Sequence, residues 1–367
     1  MQPVVLCVAR HWVTIVSYSI ALLLHSKENY DRGKAQSRYL ADVAKAANVS
    51  RSTASRALNN SPRISRETTA RIKKIADSMG FIPNAQGRAL AVGRNETIAI
   101  LITEPLDELF DDPTYAMFIS GITEKLSESS YLPVLLQAST DFERHRVQQH
   151  LERRSFDAVI DISPYANNYL LEEMYKLRIP CVMLGQMEDR SYEGIFSSVY
   201  SDDTYGAQIA AQAMHDAGRR HPISILGPRS NPASPDRLTG YRRVCGDELP
   251  DDRVLFTGWD ATAGFSAMMQ LLDTHDDIDG LLAGSDRIAV GAIEAIRQRG
   301  LTVPDDIAVV GFDDHPIAER CNPPLTTVQQ PLREEGSTAA DLAMRMIDGE
   351  AATTVIKHMT LVRRKSL

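Results

Sequence analysis

The stretch Leu40–Asn60, LADVAKAANVSRSTASRALNN, decides how the front of this 367-residue chain is read. Ala41, Val43, Ala44 and Ala47 recur at helical spacing and predict a short helix with one inward apolar stripe. Asn48, Val49 and Ser50 interrupt it. Asn tolerates the left-handed backbone of a tight turn between helices, although Gly does so at less cost. Ser50 then caps a second helix running from Arg51 to Leu58, with Ala54, Ala57 and Leu58 inside. Arg51, Ser52, Ser55 and Arg56 stay outside, all of them groups that bond to phosphates or base edges. The pattern is a helix-turn-helix with a recognition helix, although any two Ala-rich helices joined by a turn would share its apolar spacing.

A third helix fits Ser65 to Met79, capped by Ser65 and apolar at Ile72, Ile75, Ala76 and Met79. Gly80 ends it, and Asn84 caps a short fourth helix. The spacing DVAxxAxVSxxTxSRxLN is carried by Asp42, Val43, Ala44, Ala47, Val49, Ser50, Thr53, Ser55, Arg56, Leu58 and Asn59. Followed by Pro83, Asn84, Arg88 and Leu90, it resembles the opening of the lactose-repressor family. The resemblance implies a DNA-binding head that meets operator DNA through Arg51, Ser52, Thr53, Ser55, Arg56 and Asn59. Lys45, Arg63 and Arg71 are expected on phosphates.

Pro83–Arg94, PNAQGRALAVGR, would then be the family's hinge helix, ordered on DNA in a homodimer. Asn84 and Arg88 would lie at the DNA, and Leu90 would wedge into the minor groove. Such a segment is too short to be a stable helix alone, and Gly87, where relatives usually carry Ala, costs it about 1 kcal/mol. A plain linker with Leu90 packed on the body is the competing reading.

The net charge of −8 argues by itself against a nucleic-acid partner. Its distribution reverses the argument, because Tyr39–Arg94 holds ten Lys and Arg against three Asp and Glu. A basic head on an acidic body confines phosphate attraction to one end. Cys7, Cys181, Cys245 and Cys321 are scattered without metal spacing, which predicts reduced thiols, no metal and a cytoplasmic setting.

Val4–Leu24 is long and apolar enough for a membrane or signal segment, but Arg10 and His11 inside it are costly there. Residues 1–38 are therefore read as an extension outside the fold, with a membrane anchor as the alternative.

From Thr97 onward, short apolar runs alternate with amphipathic ones, predicting ten strands with helices between them. Repeated βα units imply parallel sheets covered on both faces, and ten strands suit two doubly wound halves. The expected fold class is α/β, with an all-α head on a two-lobed, periplasmic-binding-protein-like body. Residues 39–82 would be the head, 83–96 the hinge helix and linker, and 97–367 the body. Its first lobe would take about 97–199 plus 328–345, and its second about 200–325 plus 346–367.

Ligands of such sheets lie at the carboxyl ends of strands. Gly185, Gly227, Gly284 and Gly311 are isolated, so no phosphate-cradling loop is present. No catalytic triad or metal-ligand set stands out, and neither an enzyme nor a cofactor is expected. Strand ends instead carry Arg237, Trp259, Ser285, Asp286, Asp313 and Gln330. An Arg, carboxylates, an amide and an indole suit a sugar: the polar groups bond vicinal hydroxyls and the aromatic covers the apolar ring face. Each also has a plain alternative; Asp286 suits a helix cap, Trp259 a core position, and Arg237 a pair with Asp236 or Glu248.

The resemblance implies that the residues matching Arg237, Trp259, Asp313 and Gln330 contact an inducer. Ser285 stands where Asn is usual in the family. The acidic loop Glu104–Pro113, with Phe110 at its tip, is expected in the pocket wall. A nucleoside or a phosphorylated sugar also fits this reading. The expected protein is a sequence-specific repressor with a small sugar-like effector. A periplasmic sugar-binding protein is the alternative; it would explain the apolar N-terminus but not Leu40–Leu90.

Overall fold

The computed structural model describes residues 40–81, 94–163, 168–186 and 190–367. The chain divides after Asn95 into two compact units, a head and a body. The predicted hinge with Asn84, Arg88 and Leu90 lies outside the described residues, as does the apolar N-terminal stretch. Among the described residues no helix is long and apolar enough to cross a membrane.

The described residues of the head form three helices, α1 (Leu40–Ala46), α2 (Arg51–Leu58) and α3 (Arg66–Ser78). Val43, Ala44, Ala47, Ala54, Ala57, Ile72, Ala76 and Phe81 form its core, while Ala41 is exposed. Small side chains let the helices approach closely, which is why alanine dominates. Each helix ends on a residue in the left-handed region: Asn48 at φ 51°, Asn60 at φ 53° and Gly80 at φ 61°. The next N–H in each case closes back on the helix, Val49 on Ala44 O, Ser61 on Arg56 O and Phe81 on Ala76 O, all at 2.9 Å. Ser50 and Ser65 cap α2 and α3 by accepting from the Thr53 and Thr68 amides.

In the body, β1 (Thr97–Ile102), α4 (Leu106–Asp111), α5 (Pro113–Leu126), β2 (Leu132–Gln137), α6 (Asp141–Glu152), β3 (Ala158–Asp161), α7 (Asn168–Leu177), β4 (Cys181–Leu184) and β5 (Ser197–Ser201) build the first lobe. The second holds α8 (Asp203–Asp216), β6 (Pro222–Leu226), α9 (Ala233–Cys245), β7 (Val254–Phe256), α10 (Ala261–Thr274), β8 (Gly280–Ala283), α11 (Asp286–Gln298), β9 (Ala308–Asp313), α12 (Pro316–Arg320) and β10 (Thr326–Gln329). The chain then returns through α13 (Leu332–Ile347) and β11 (Thr354–Lys357), and finishes with β12 (Thr360–Val362). The sheet orders are β11-β5-β4-β3-β1-β2 and β12-β10-β9-β8-β6-β7. Every pairing is parallel except that of β10 with β12. Each lobe is thus doubly wound, with its switch point between its first and third strands.

Two strands go beyond the ten expected, and one corrects the lobe boundary. The expected second lobe includes residues 346–367, but β11 pairs with β5 in the first sheet, Thr354 beside Ser198. The helix α13 packs on β3, β4 and β5, so the strand that follows it is delivered to that sheet's edge beside β5. Conversely, Val328 is buried in the second lobe's core, so the expected return at residue 328 comes too early.

The first lobe rests on a close crossing of α5 and α13. A Cβ at Gly121 would stand 1.9 Å from Arg333 O, and one at Gly336 would stand 2.2 Å from Phe118 O. Backbone oxygens cannot yield as side chains do, so Gly121→Ala is expected to destabilise the body by about 1–3 kcal/mol. A urea unfolding curve reads this, and an unchanged midpoint would refute the crossing.

Candidate functional site

On the head, Arg51, Ser52 and Arg56 of α2 are exposed, while Thr53 and Ser55 on the same helix and Asn59 at its C-cap are half-buried. The Ser52 and Thr53 hydroxyls each lie 2.8 Å from Ser50 Oγ, so the first turn of α2 shares one hydroxyl cluster. Described residues 40–81 hold eight Lys and Arg against three acids. Lys45, Arg63 and Arg71 are all exposed, and Arg71 Nη1 also donates to Ala47 O at 2.9 Å.

The body holds a cleft of about 860 Å³ lined from both lobes. Arg237 sits on α9 and is 4% exposed. Its Nε donates to Asp203 Oδ1 at 2.8 Å, Nη1 donates to Gly284 O, and Asp313 Oδ1 lies 3.5 Å from Nη1. The guanidinium also lies 3.7 Å from the Phe312 ring centre. Burial opposes its charge, but Asp203 and Asp313 overcome that and raise its pKa. Burial raises the Asp313 carboxyl against the pull of Arg237. Gln330 Nε2 completes the set, donating to Asp313 Oδ1 at 2.5 Å. Trp259 lines the same wall with its ring laid on Gly227, where a Cβ would come within 2.3 Å of it.

Arg237, Trp259, Ser285, Asp313 and Gln330 are therefore brought together in one cleft. Two other expected residues are not. Asp286 is fully buried and does not line it; its carboxylate accepts from the His315 amide at 2.7 Å and from Thr327 Oγ1 at 2.5 Å. It is Ser285 that caps α11, accepting from the Ile288 amide at 3.1 Å. Phe110 is 78% exposed and also lies off the lining. The acidic loop contains the helix α4, whose spacing puts Glu108 and Asp111 on the cleft side and Phe110 off it.

Sequence reasoning missed several cleft residues. His315 is buried, its Nε2 3.1 Å from Thr114 Oγ1 of the first lobe and its Nδ1 without a hydrogen-bond partner. Arg287 Nη1 reaches across to Asp112 Oδ2 at 3.2 Å, so a hydrogen bond and an ion pair both span the lobes. Glu335, on α13, accepts from the Ser201 hydroxyl, and burial pushes its pKa up to about 7. Only the Asp-Asp pairs offered a signal. Asp202 caps α8 while Asp203 meets Arg237, and Asp313 meets Arg237 while Asp314 pairs with Arg364 at 2.7 Å.

The raised Glu335 pKa has a stability consequence. The fold holds this proton more tightly than the unfolded chain, so its contribution is complete below about pH 4.5 and lost as pH rises through about 7. Every tenfold gain in proton affinity on folding is worth about 1.4 kcal/mol. Glu335→Gln, which mimics the neutral acid, is expected to lose less melting temperature than the parent between pH 5.5 and pH 8.5. Equal losses would refute the buried acid; Asp161, also raised to about 7 by burial, leaves a residual fall in both.

A family profile for bacterial regulatory proteins, lacI family, matches residues 39–84, and one for a periplasmic binding protein-like domain matches residues 211–367. The HTH-type transcriptional regulator CelR of Thermobifida fusca is 32% identical over 316 residues, 85% of this chain and 93% of that relative. This chain belongs to the lacI family of bacterial regulators. Its head is that family's DNA-binding domain, and the chain is a DNA-binding transcriptional regulator. The solved transcriptional regulator CelR–cellobiose complex matches with a TM-score of 0.71 and 30% identity, covering 90% of this lacI-family chain and all of that one. The Lac repressor dimer bound to operator and the anti-inducer ONPF shares the fold, with a TM-score of 0.75 at 22% identity over 89% of this chain and 98% of that one.

Proposed function

We propose that this lacI-family chain is a homodimeric repressor whose grip on operator DNA is set by a sugar in the body's cleft. The observation that carries the reading is the buried Arg237–Asp313–Gln330 set beside Trp259, joined in one chain to a head that exposes Arg51 and Arg56. Fixed donors and acceptors beside an indole suit the vicinal hydroxyls and apolar face of a sugar ring. That the similar CelR is solved with cellobiose supports a sugar here. Arg51, Ser52 and Arg56 read base edges, and Lys45 and Arg63 meet phosphates. Arg237, Trp259, Ser285, Asp313 and Gln330 hold the sugar.

Coupling follows from the lobes. A ligand touching both walls competes with or reinforces the Asp112–Arg287 and Thr114–His315 contacts, so it favours one lobe arrangement over another. Whichever arrangement it favours, the coupling is reciprocal, and operator changes sugar affinity by the same factor. A second copy covers the apolar edge where Leu132 and Leu135 on β2 and Phe142 on α6 are 64%, 53% and 71% exposed. The protein performs no catalysis in this reading and acts in the cytoplasm, where its DNA target lies.

The test selects operator sequences from upstream genomic fragments with the purified protein, then titrates them by fluorescence anisotropy at 50–200 mM salt, where phosphate contacts weigh heavily. Preference over random DNA, altered by at least one sugar, is the expected result. No preference with or without sugars sinks the reading.

A further inference from the structure

The charges around the cleft point to a narrower class of ligand. Its two lining arginines are both engaged: Arg237 lies between Asp203 and Asp313, and Arg287 pairs with Asp112. Among the described residues, the charge of each lining Arg is therefore already matched by a carboxylate. The first-lobe wall adds Glu104, Glu108 and Asp111, and none of the three makes an ion pair among the described residues. Glu104 is half-buried, and burial with the nearby Glu108 raises its pKa, as expected where negative charge is crowded. A metal does not account for the crowding, since no group of described His, Cys, Asp or Glu residues is placed to hold one.

Size is the second, independent observation. The cleft's 860 Å³ lies near the top of the roughly 300–1,000 Å³ range of small-molecule pockets, several times what one sugar ring fills. Both lobes supply hydroxyl-binding groups, with carboxylates on one side and Arg237, Asp313 and Gln330 on the other.

We propose that the cleft takes an uncharged oligosaccharide of at least two rings and rejects phosphorylated or acidic sugars. The proposal rests on the sugar reading above and narrows it. Hydroxyls donate to the three carboxylates in charge-assisted hydrogen bonds, whereas a phosphate brought beside them meets like-charge repulsion. Two rings fill more of this volume than a single ring does.

The experiment is a thermal-shift and calorimetry panel on the full chain. The probes are glucose, ribose, cellobiose, maltose, sucrose, maltotriose, glucose 6-phosphate, ribose 5-phosphate and maltose 6'-phosphate. The expected result is tightest binding by a neutral di- or trisaccharide, with its phosphorylated form at least tenfold weaker. A single-ring sugar or a phosphosugar as the tightest ligand overturns the proposal while leaving the sugar reading intact. Silence from every probe instead counts against the sugar reading itself, and the proposal falls with it. The double variant Glu108→Gln, Asp111→Asn separates charge from shape: it should narrow the gap between maltose and maltose 6'-phosphate at least threefold, and an unchanged gap refutes electrostatic rejection.

Discussion

Arg56→Ala is expected to lower affinity for the selected operator about tenfold to a hundredfold while leaving sugar binding unchanged. The exposed Arg56 side chain belongs to a helix whose buried residues are Ala54 and Ala57, so truncation removes no core contact. Alanine is also the strongest helix former, and the melting temperature of the head should hold. The change therefore reports on DNA alone. If Arg56 reads a base edge, the variant also loses discrimination at one position of the site. If it meets a phosphate, binding weakens uniformly and the salt dependence falls by about one ion. An unchanged affinity removes α2 from the interface.

Asp313→Asn is expected to weaken sugar binding at least tenfold with no change in operator affinity when sugar is absent. The choice of Asn over Ala comes from the backbone. Asp313 has φ 104°, a conformation Asn tolerates far better than Ala, so an alanine variant would mix strain with lost chemistry. Asn keeps an oxygen for the Gln330 amide but not the charge that faces Arg237, which retains Asp203. Hydrogen bonds to charged groups contribute about 1.5–3 kcal/mol, which matches the expected loss. Calorimetry with the best ligand of the panel and anisotropy on the operator read the two affinities separately. A variant that binds sugar and responds to it normally refutes Asp313 as a ligand contact.

The two halves of the molecule differed in how much their residues disclosed. In the head, caps and turn residues act within a few positions of one another, and Ser50, Asn48 and Ser65 did what their chemistry predicts. In the body, alternating apolar runs predicted ten strands close to their observed bounds. The runs at Thr354–Lys357 and Thr360–Val362 were missed because they are short and half-exposed, with little periodicity to read.

The cleft was legible only in part. Arg237, Trp259, Asp313 and Gln330 stood out because they end or follow strands of a doubly wound sheet. Asp286 looked equivalent, yet the fold turns it inward to tie β10 and the His315 amide together. His315 and Glu335 gave no comparable signal, since their partners, Thr114 and Ser201, lie far away in the chain.

The order of residues alone determined the helix-turn-helix, the alternation of strand and helix, and the division into a basic front and an acidic remainder, all of which arise from neighbours in the chain. Three-dimensional packing decided which of two adjacent aspartates faces Arg237, that Phe110 turns out while Glu108 and Asp111 turn in, and that both cleft arginines are engaged by carboxylates. These depend on groups far apart in the chain coming together, where a few ångströms set whether a charge is matched or left to repel.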